Sequence, residues 1–213
     1  MCVKGVDDSI DRLQKQLVKL GLAENTIVIY SSDQGFYIGD HGWYDKRWMY
    51  DESMKMPLIV KWPGVVKPGS REMRMVQNLD YAQTFLDIAG APQPDDMQGL
   101  SLVPLLKAEN PKEWRKEIYY HYYEYPSVHM IPRHYGIRTK RYKLMHFYQF
   151  GDEWELYDLK TDPDELSNVY GKKEVLDLQE KLKLRLKRIR KAYDDQSDVS
   201  IRPDYIEQYR RKS

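Results

Sequence analysis

Between Asp33 and Lys46 the chain reads DQGFYIGDHGWYDK, and Asp33, Gln34, His41, Asp45 and Lys46 crowd into that short span. The carboxylate of Asp33 and the amide oxygen of Gln34 are hard donors of the kind that calcium and magnesium take. Gly35 allows the chain to turn sharply behind them. His41, set between Gly39 and Gly42, is expected to present an unhindered ring that can hold or release a proton. Lys46 adds a positive charge. A hard cation, an ammonium and an imidazole together describe a site for an anion with several oxygens. Each residue also has an ordinary reading: an Asp-rich turn after a strand, a satisfied loop histidine, a surface lysine. Their joint occurrence behind a core strand outweighs those separate readings.

The elements that must position this cluster follow from apolar periodicity. Ile10, Leu13, Leu17 and Leu20 predict a helix over 6–20 stopped by Gly21. The β-branched run TIVIYSS predicts a strand over 26–32, and MPLIVKWPG a second over 57–62 closed by Pro63-Gly64. A helix is predicted over 80–90. The alternation suggests an α/β sheet, mostly parallel, with the polar cluster at a strand's carboxyl end. Beyond residue 110, EIYYHYYEY, HYGIRTK, RYKLMHFYQF and WELYDL predict a small four-stranded antiparallel sheet. A long basic helix follows, its cations read as a solvated face. The division is therefore 1–110 for the α/β part and 111–213 for the antiparallel sheet plus helix. Only two strong strand candidates fall in the first part, so its main sheet is expected to be incomplete, with an open edge that favours self-association.

Composition narrows the partners. Lys and Arg number 34 against 33 Asp and Glu, so nothing points to nucleic acid or a membrane surface. The 18 Tyr and 5 Trp suit carbohydrate as well as ordinary half-buried sheets. Cys2 is the only cysteine, which excludes an internal disulfide. No apolar run approaches the roughly 18 residues of a membrane span, and no secretory signal is visible. A chain that opens inside a helix is expected to be an internal piece of something longer.

The stretch NTIVIYSSDQGFYIGDHGWYDKRWMYDESMKMPLIVKWPG resembles the C-terminal half of the type I sulfatases, which share an alkaline-phosphatase-like fold. It is most similar to bacterial enzymes of the N-acetylglucosamine-6-sulfatase kind. QGLSLVPLL and HYGIRTKRYKLMHFYQFGDEWELYDLKTDPDELSNVYG extend the resemblance over nearly the whole chain. The resemblance implies a sulfuric ester hydrolase, with Asp33 and Gln34 as calcium ligands, Lys46 contacting the sulfate and His41 as a site histidine. It further implies a substrate contact from His134; Asp45, beside Lys46, is suited to accept hydrogen bonds from sugar hydroxyls, His121 and His129 are weaker candidates, and Trp43 is suited equally to stacking on a sugar and to packing. The substrate implied is 6-O-sulfated glucosamine of glycosaminoglycans, and the compartment periplasmic or secreted.

The chain departs from the family in three respects. The formylglycine nucleophile arises in a Cys/Ser-x-Pro-x-Arg motif, and no such motif occurs here; Cys2 is followed by VKGV. The family's first Asp-Asp metal pair and its further lysine and histidine are also missing. Such a fragment is expected to be inactive alone and to bind calcium weakly, since two ligands do not fill the six to eight positions calcium prefers. Two other readings stay open: a phosphodiesterase or phosphoglycerol transferase fragment of the same superfamily, and a non-catalytic module binding sulfated glycans. Gln after Asp33, and the spacing to Lys46, favour sulfate.

Overall fold

A computed structural model describes residues 2–125 and 128–195. In chain order its elements are α1 (Cys2–Lys19), β1 (Val28–Ser31), β2 (Tyr37–Ile38), β3 (Tyr44–Asp45), α2 (Asp51–Met54), β4 (Leu58–Lys61), α3 (Asp80–Ala89), α4 (Val103–Leu106), β5 (Glu117–Tyr122), β6 (His134–Thr139), β7 (Tyr142–Phe147), β8 (Glu153–Asp158) and α5 (Leu176–Ala192). The chain divides into two compact units, one of residues 1–33 and 57–114, the other of 34–56 and 115–213. Segment 34–56 groups with the later unit, and residues 196–213 lie outside the described ones.

In the first unit, β1 pairs with β4, Val28 opposite Lys61 and Ser31 opposite Leu58. The pairing is antiparallel, whereas alternation of helix and strand had suggested a parallel sheet. The one α-helix between β1 and β4 among the described residues, the short α2, groups with the other unit and is no crossover for this sheet. Gly21 ends α1 at φ 70°, where the Leu22 N–H bonds the Leu17 carbonyl at 2.9 Å. Gly90 closes α3 in the same way, with Ala91 N–H on the Leu86 carbonyl. Asp80, fully buried, accepts the backbone N–H groups of Gln77 and Leu100 at 2.8 and 2.9 Å, which pins α3 to the following loop. The buried apolar side chains of this unit are few: Leu102, Val103 and Leu105 among the described residues. Ile59 on β4 and Phe85 on α3 are 63% and 51% exposed, and α1 buries no residue at all. Among the described residues the sheet of this unit has two strands, β1 and β4.

The second unit is built on the antiparallel sheet β5-β6-β7-β8, the four strands expected from sequence. Side chains alternate across it. Tyr135, Ile137, Leu144 and Leu156 face α5 and pack on Leu182 and Leu186. Met145, Phe147 and Tyr157 point the other way, against Tyr37, Met49 and Tyr50 from segment 34–56. The sheet is thus covered on both faces, with the polar cluster on one of them. Gly136 makes the covering possible: a Cβ there would lie 2.5 Å from both the Met49 sulfur and the Leu144 carbonyl oxygen.

Candidate active site

Within the second unit, β2 and β3 form a short hairpin, Tyr37 opposite Asp45 and Ile38 opposite Tyr44. Its tip runs through left-handed backbone at Gly39, His41 and Gly42. Glycine accepts that conformation freely, but a histidine does so at a cost of about 1–2 kcal/mol, so surrounding contacts must hold it. The His41 ring stacks on Tyr50, centroids 4.3 Å apart and planes 10° off parallel, and its Nε2 lies 3.4 Å from Glu52 Oε2. The expected unhindered ring is therefore packed and oriented, because Tyr50 and Glu52 at the start of α2 close on it.

The same short helix anchors Lys46. The Lys46 carbonyl accepts hydrogen bonds from Ser53 Oγ and from Gln34 Nε2, each at 2.5 Å. Tyr120 Oη donates to the Arg47 carbonyl at 2.7 Å, and Tyr37 Oη to that of Trp48 at 3.2 Å. Backbone from 46 to 48 is thus tied at three successive carbonyls. Gly35 N–H donates to the Ser53 carbonyl at 2.8 Å, so the turn after Gln34 lies directly on α2. A Cβ on Gly35 would collide with the Glu52 and Lys55 carbonyl oxygens, neither of which can move without unwinding α2. Gly35→Ala is expected to cost about 1–3 kcal/mol by overpacking, read as a lowered urea midpoint; an unchanged midpoint would show the turn to be pliable.

A buried ion cluster fixes α2 to the sheet. Arg138 Nε and Nη2 donate to the two Asp51 carboxylate oxygens at 3.1 and 3.0 Å. Lys143 Nζ, fully buried, donates to Asp51 Oδ1 at 2.7 Å and to Glu165 Oε2 at 2.8 Å, and Asp51 N–H donates to Glu165 Oε2 at 2.7 Å. Burial alone would raise the Asp51 carboxyl, but the Arg138 hydrogen bonds and the Lys143 charge hold it well below the usual carboxylate range. Burial raises Glu165, against the pull of Lys143. Tyr50, Asp51, Glu52 and Ser53 were not singled out from sequence, and they are what positions His41 and Lys46. The signal available was MYDES itself, whose acidic pair precedes a helical turn.

The candidate recognition residues are distributed unevenly. Asp45, at φ 115°, pairs with the Arg47 guanidinium and lies 3.4 Å from His129 Nδ1, so the structure brings His129 to the same corner. Trp43 packs on Trp48 at 5.1 Å between centroids and keeps one face toward solvent. His134 is fully buried among Trp48, Tyr120, Tyr122 and Phe147. Its Nδ1 sits 2.8 Å from the Pro132 carbonyl, which makes Nδ1 the protonated nitrogen, and Nε2 has no hydrogen-bond partner. His121 faces the opposite side of the sheet, between Asp195 and Tyr148, away from His41 and Lys46.

Burial lowers the His134 pKa to about 4. Folded chain then binds fewer protons than unfolded chain, whose histidine titrates near about 6.5, so this stability is complete above that value and lost as pH falls toward the folded value. The slope is at most about 1.4 kcal/mol per pH unit. Urea midpoints across this window should fall with acidification and be flatter in His134→Phe; equal slopes would place the titration elsewhere.

Asp33 belongs to the first unit. Its backbone carbonyl accepts Asn78 Nδ2 at 3.1 Å, and Ser32 Oγ lies 3.2 Å from its Oδ1. It lines an open cleft of about 610 Å³ with Ser31, Ser32, Asn78, Leu79 and Tyr81. Asp33 and the next residue, Gln34, offer oxygen donors only, which fits a hard cation. No group of three or more His, Cys, Asp or Glu among the described residues could hold a metal ion.

The profile of a family described as N-sulphoglucosamine sulphohydrolase, C-terminal, matches residues 39–192. An N-acetylglucosamine-6-O-sulfatase of Bacteroides thetaiotaomicron is 51% identical over 195 residues, covering 91% of this chain and 35% of that protein. A solved structure described as a complex with its substrate D-glucosamine-2-N,6-O-disulfate superposes with a TM-score of 0.88 at 48% identity, over 93% of this chain and 41% of the other. A phosphonate monoester hydrolase of Agrobacterium radiobacter superposes at 0.78 with 26% identity, over 88% and 39%. The chain spans about a third or less of the curated relatives it matches. No helix among the described residues is long and apolar enough to cross a membrane.

Proposed function

This chain belongs to the N-sulphoglucosamine sulphohydrolase C-terminal family, and from that premise we propose that it supplies part of the active site of a sulfuric ester hydrolase acting on 6-O-sulfated glucosamine sugars. The observation that carries the reading is the frame around α2, which holds His41 through Tyr50 and Glu52 and the Lys46 backbone through Ser53 and Gln34. In this reading the Lys46 ammonium offsets charge developing on the sulfate, and His41, oriented by Glu52, holds or moves a proton at Nε2. Asp45 accepts hydrogen bonds from sugar hydroxyls. His134, fully buried and protonated at Nδ1, is assigned in this reading to a place behind the recognition surface rather than to direct contact with the sugar. Asp33 and Gln34 would hold calcium, which when bound supplies positive charge to place sulfate oxygens.

The nucleophile is assigned to residues outside this chain, since no Cys/Ser-x-Pro-x-Arg motif occurs in it, and the 213 residues alone are expected to turn over no ester. The exposed apolar face of the first unit is where we place the remainder of such a fold, in preference to a second copy of this chain. A periplasmic or secreted location accords with a polysaccharide substrate.

The likeness to a phosphonate monoester hydrolase supports a second reading, hydrolysis of a phosphorus ester. A chimera decides between them: this chain in place of the matching stretch of the Bacteroides thetaiotaomicron enzyme, assayed on sulfate, phosphonate and phosphate esters. Sulfate release from 6-O-sulfated glucosamine supports the first reading. A folded chimera cleaving only phosphorus esters supports the second, and a folded chimera binding sulfated sugar without turnover supports a glycan-binding module.

A further inference from the structure

We propose that the cleft between α5 and the sheet edge at Trp154 is a second anion site, away from the Lys46 loop, that binds a sulfated oligosaccharide. It has a volume of about 520 Å³ and is lined by Tyr135, Trp154, Lys183, Lys187, Arg190 and Lys191, among others. Lys183, Lys187 and Lys191 recur every four residues on α5, so they rise along one face of the helix in steps of about 6 Å.

The cations of α5 are not equivalent. Arg185 and Arg188 both pair with Glu117 on β5, whose single charge offsets one of the two. Lys187 and Lys191, both exposed, make no ion pair among the described residues, and Lys183 has only Glu180 at 3.7 Å. Asp195, the carboxylate in the lining, is engaged by His121 Nδ1 at 2.6 Å and by Tyr119. Like charges at this spacing weaken a helix, and an anion lying along the stripe would relieve that repulsion. The whole chain carries a net charge of only +1, so these cations are balanced by acidic residues elsewhere in the chain rather than forming part of a general positive charge.

The aromatic residues organise the charge. Lys183 Nζ lies 4.7 Å from the Trp154 centroid and 5.2 Å from that of Tyr170, and the Arg190 guanidinium lies 3.9 Å above Tyr135. The other face of Trp154 is taken by His146, stacked at 4.0 Å. With its rings already covered, the cleft offers no platform on which nucleic-acid bases could stack. What it presents is a ladder of cations, two held over rings and two exposed, suited to sulfate groups spaced along a sugar chain.

The test is calorimetric titration of the intact chain with a heparin-derived tetrasaccharide, its desulfated counterpart, inorganic sulfate and a short DNA duplex. The sulfated tetrasaccharide is expected to bind, and K187E/K191E to weaken it at least about tenfold while reducing the salt dependence of log K by about two. K187Q/K191Q, which adds no repulsion, should lie between. Unchanged affinity in folded K187E/K191E, no binding by the wild-type chain, or equal binding of duplex DNA or inorganic sulfate would overturn the proposal. Binding is read without turnover, so the outcome stands apart from whether a sulfate ester is cleaved.

Discussion

Lys143→Met is expected to destabilise the second unit by about 3–5 kcal/mol, because it leaves the buried Asp51 and Glu165 carboxylates without the ammonium that joins them. Lys143 is fully buried and lies 2.7 Å from an oxygen of each carboxylate. Methionine keeps the stem's volume, so the loss is electrostatic rather than a cavity. The sign of its pH dependence follows from Glu165, whose pKa burial already raises. Without Lys143 that rise grows, and the folded variant takes up a proton more readily than its unfolded chain. The penalty should therefore be larger at pH 8 than at pH 5. Urea denaturation of both proteins at the two pH values measures it. A difference below about 1 kcal/mol, the range of exposed pairs, would show the cluster to be solvated.

This cluster also shows where the sequence was silent. Lys143 in RYKLMHF and Arg138 in HYGIRTK occupy positions that a half-solvated strand gives to polar residues. Period-two alternation identifies β6 and β7 correctly, but does not say that both faces of the sheet are covered. The partners, Asp51 and Glu165, are remote in sequence, and no local pattern links them to the strands. The same gap explains why segment 34–56 is recognisable as chemically dense while its grouping with the later strands is not. The antiparallel pairing of β1 and β4 was hidden for a related reason: apolar β-branched runs show that strands exist, not in which sense they pair. Elements with strong periodicity, α1, α3, α5 and the four strands from Glu117 to Asp158, were legible because the spacing of their apolar residues is a local pattern, although α1 buries none of its residues. His41's packing was not, because it depends on left-handed backbone at a non-glycine residue and on the α2 turn behind it.

Lys46→Ala, introduced in the chimera, is expected to lower the rate of sulfate ester cleavage about 10²–10³-fold, the usual cost of removing one preorganised contact to developing charge. Stability should hardly change, because what anchors the segment is the Lys46 backbone carbonyl, which alanine retains, through Gln34 and Ser53. Lys46→Arg should recover part of the rate, as it restores charge in a different shape. The comparison is of kcat and KM on N-acetylglucosamine 6-sulfate, with thermal melting as the check on folding. A loss smaller than tenfold in a folded chimera would remove Lys46 from the sulfate site.

The most direct measurement is a crystal structure of the chimera with D-glucosamine-2-N,6-O-disulfate bound. The predicted result is the 6-O-sulfate within about 3 Å of Lys46 Nζ, a charge-assisted hydrogen-bond distance, with His41 still stacked on Tyr50. A sugar bound in the active site with its 6-O-sulfate turned away from Lys46 would contradict the assignment of this loop to the reacting end of the substrate.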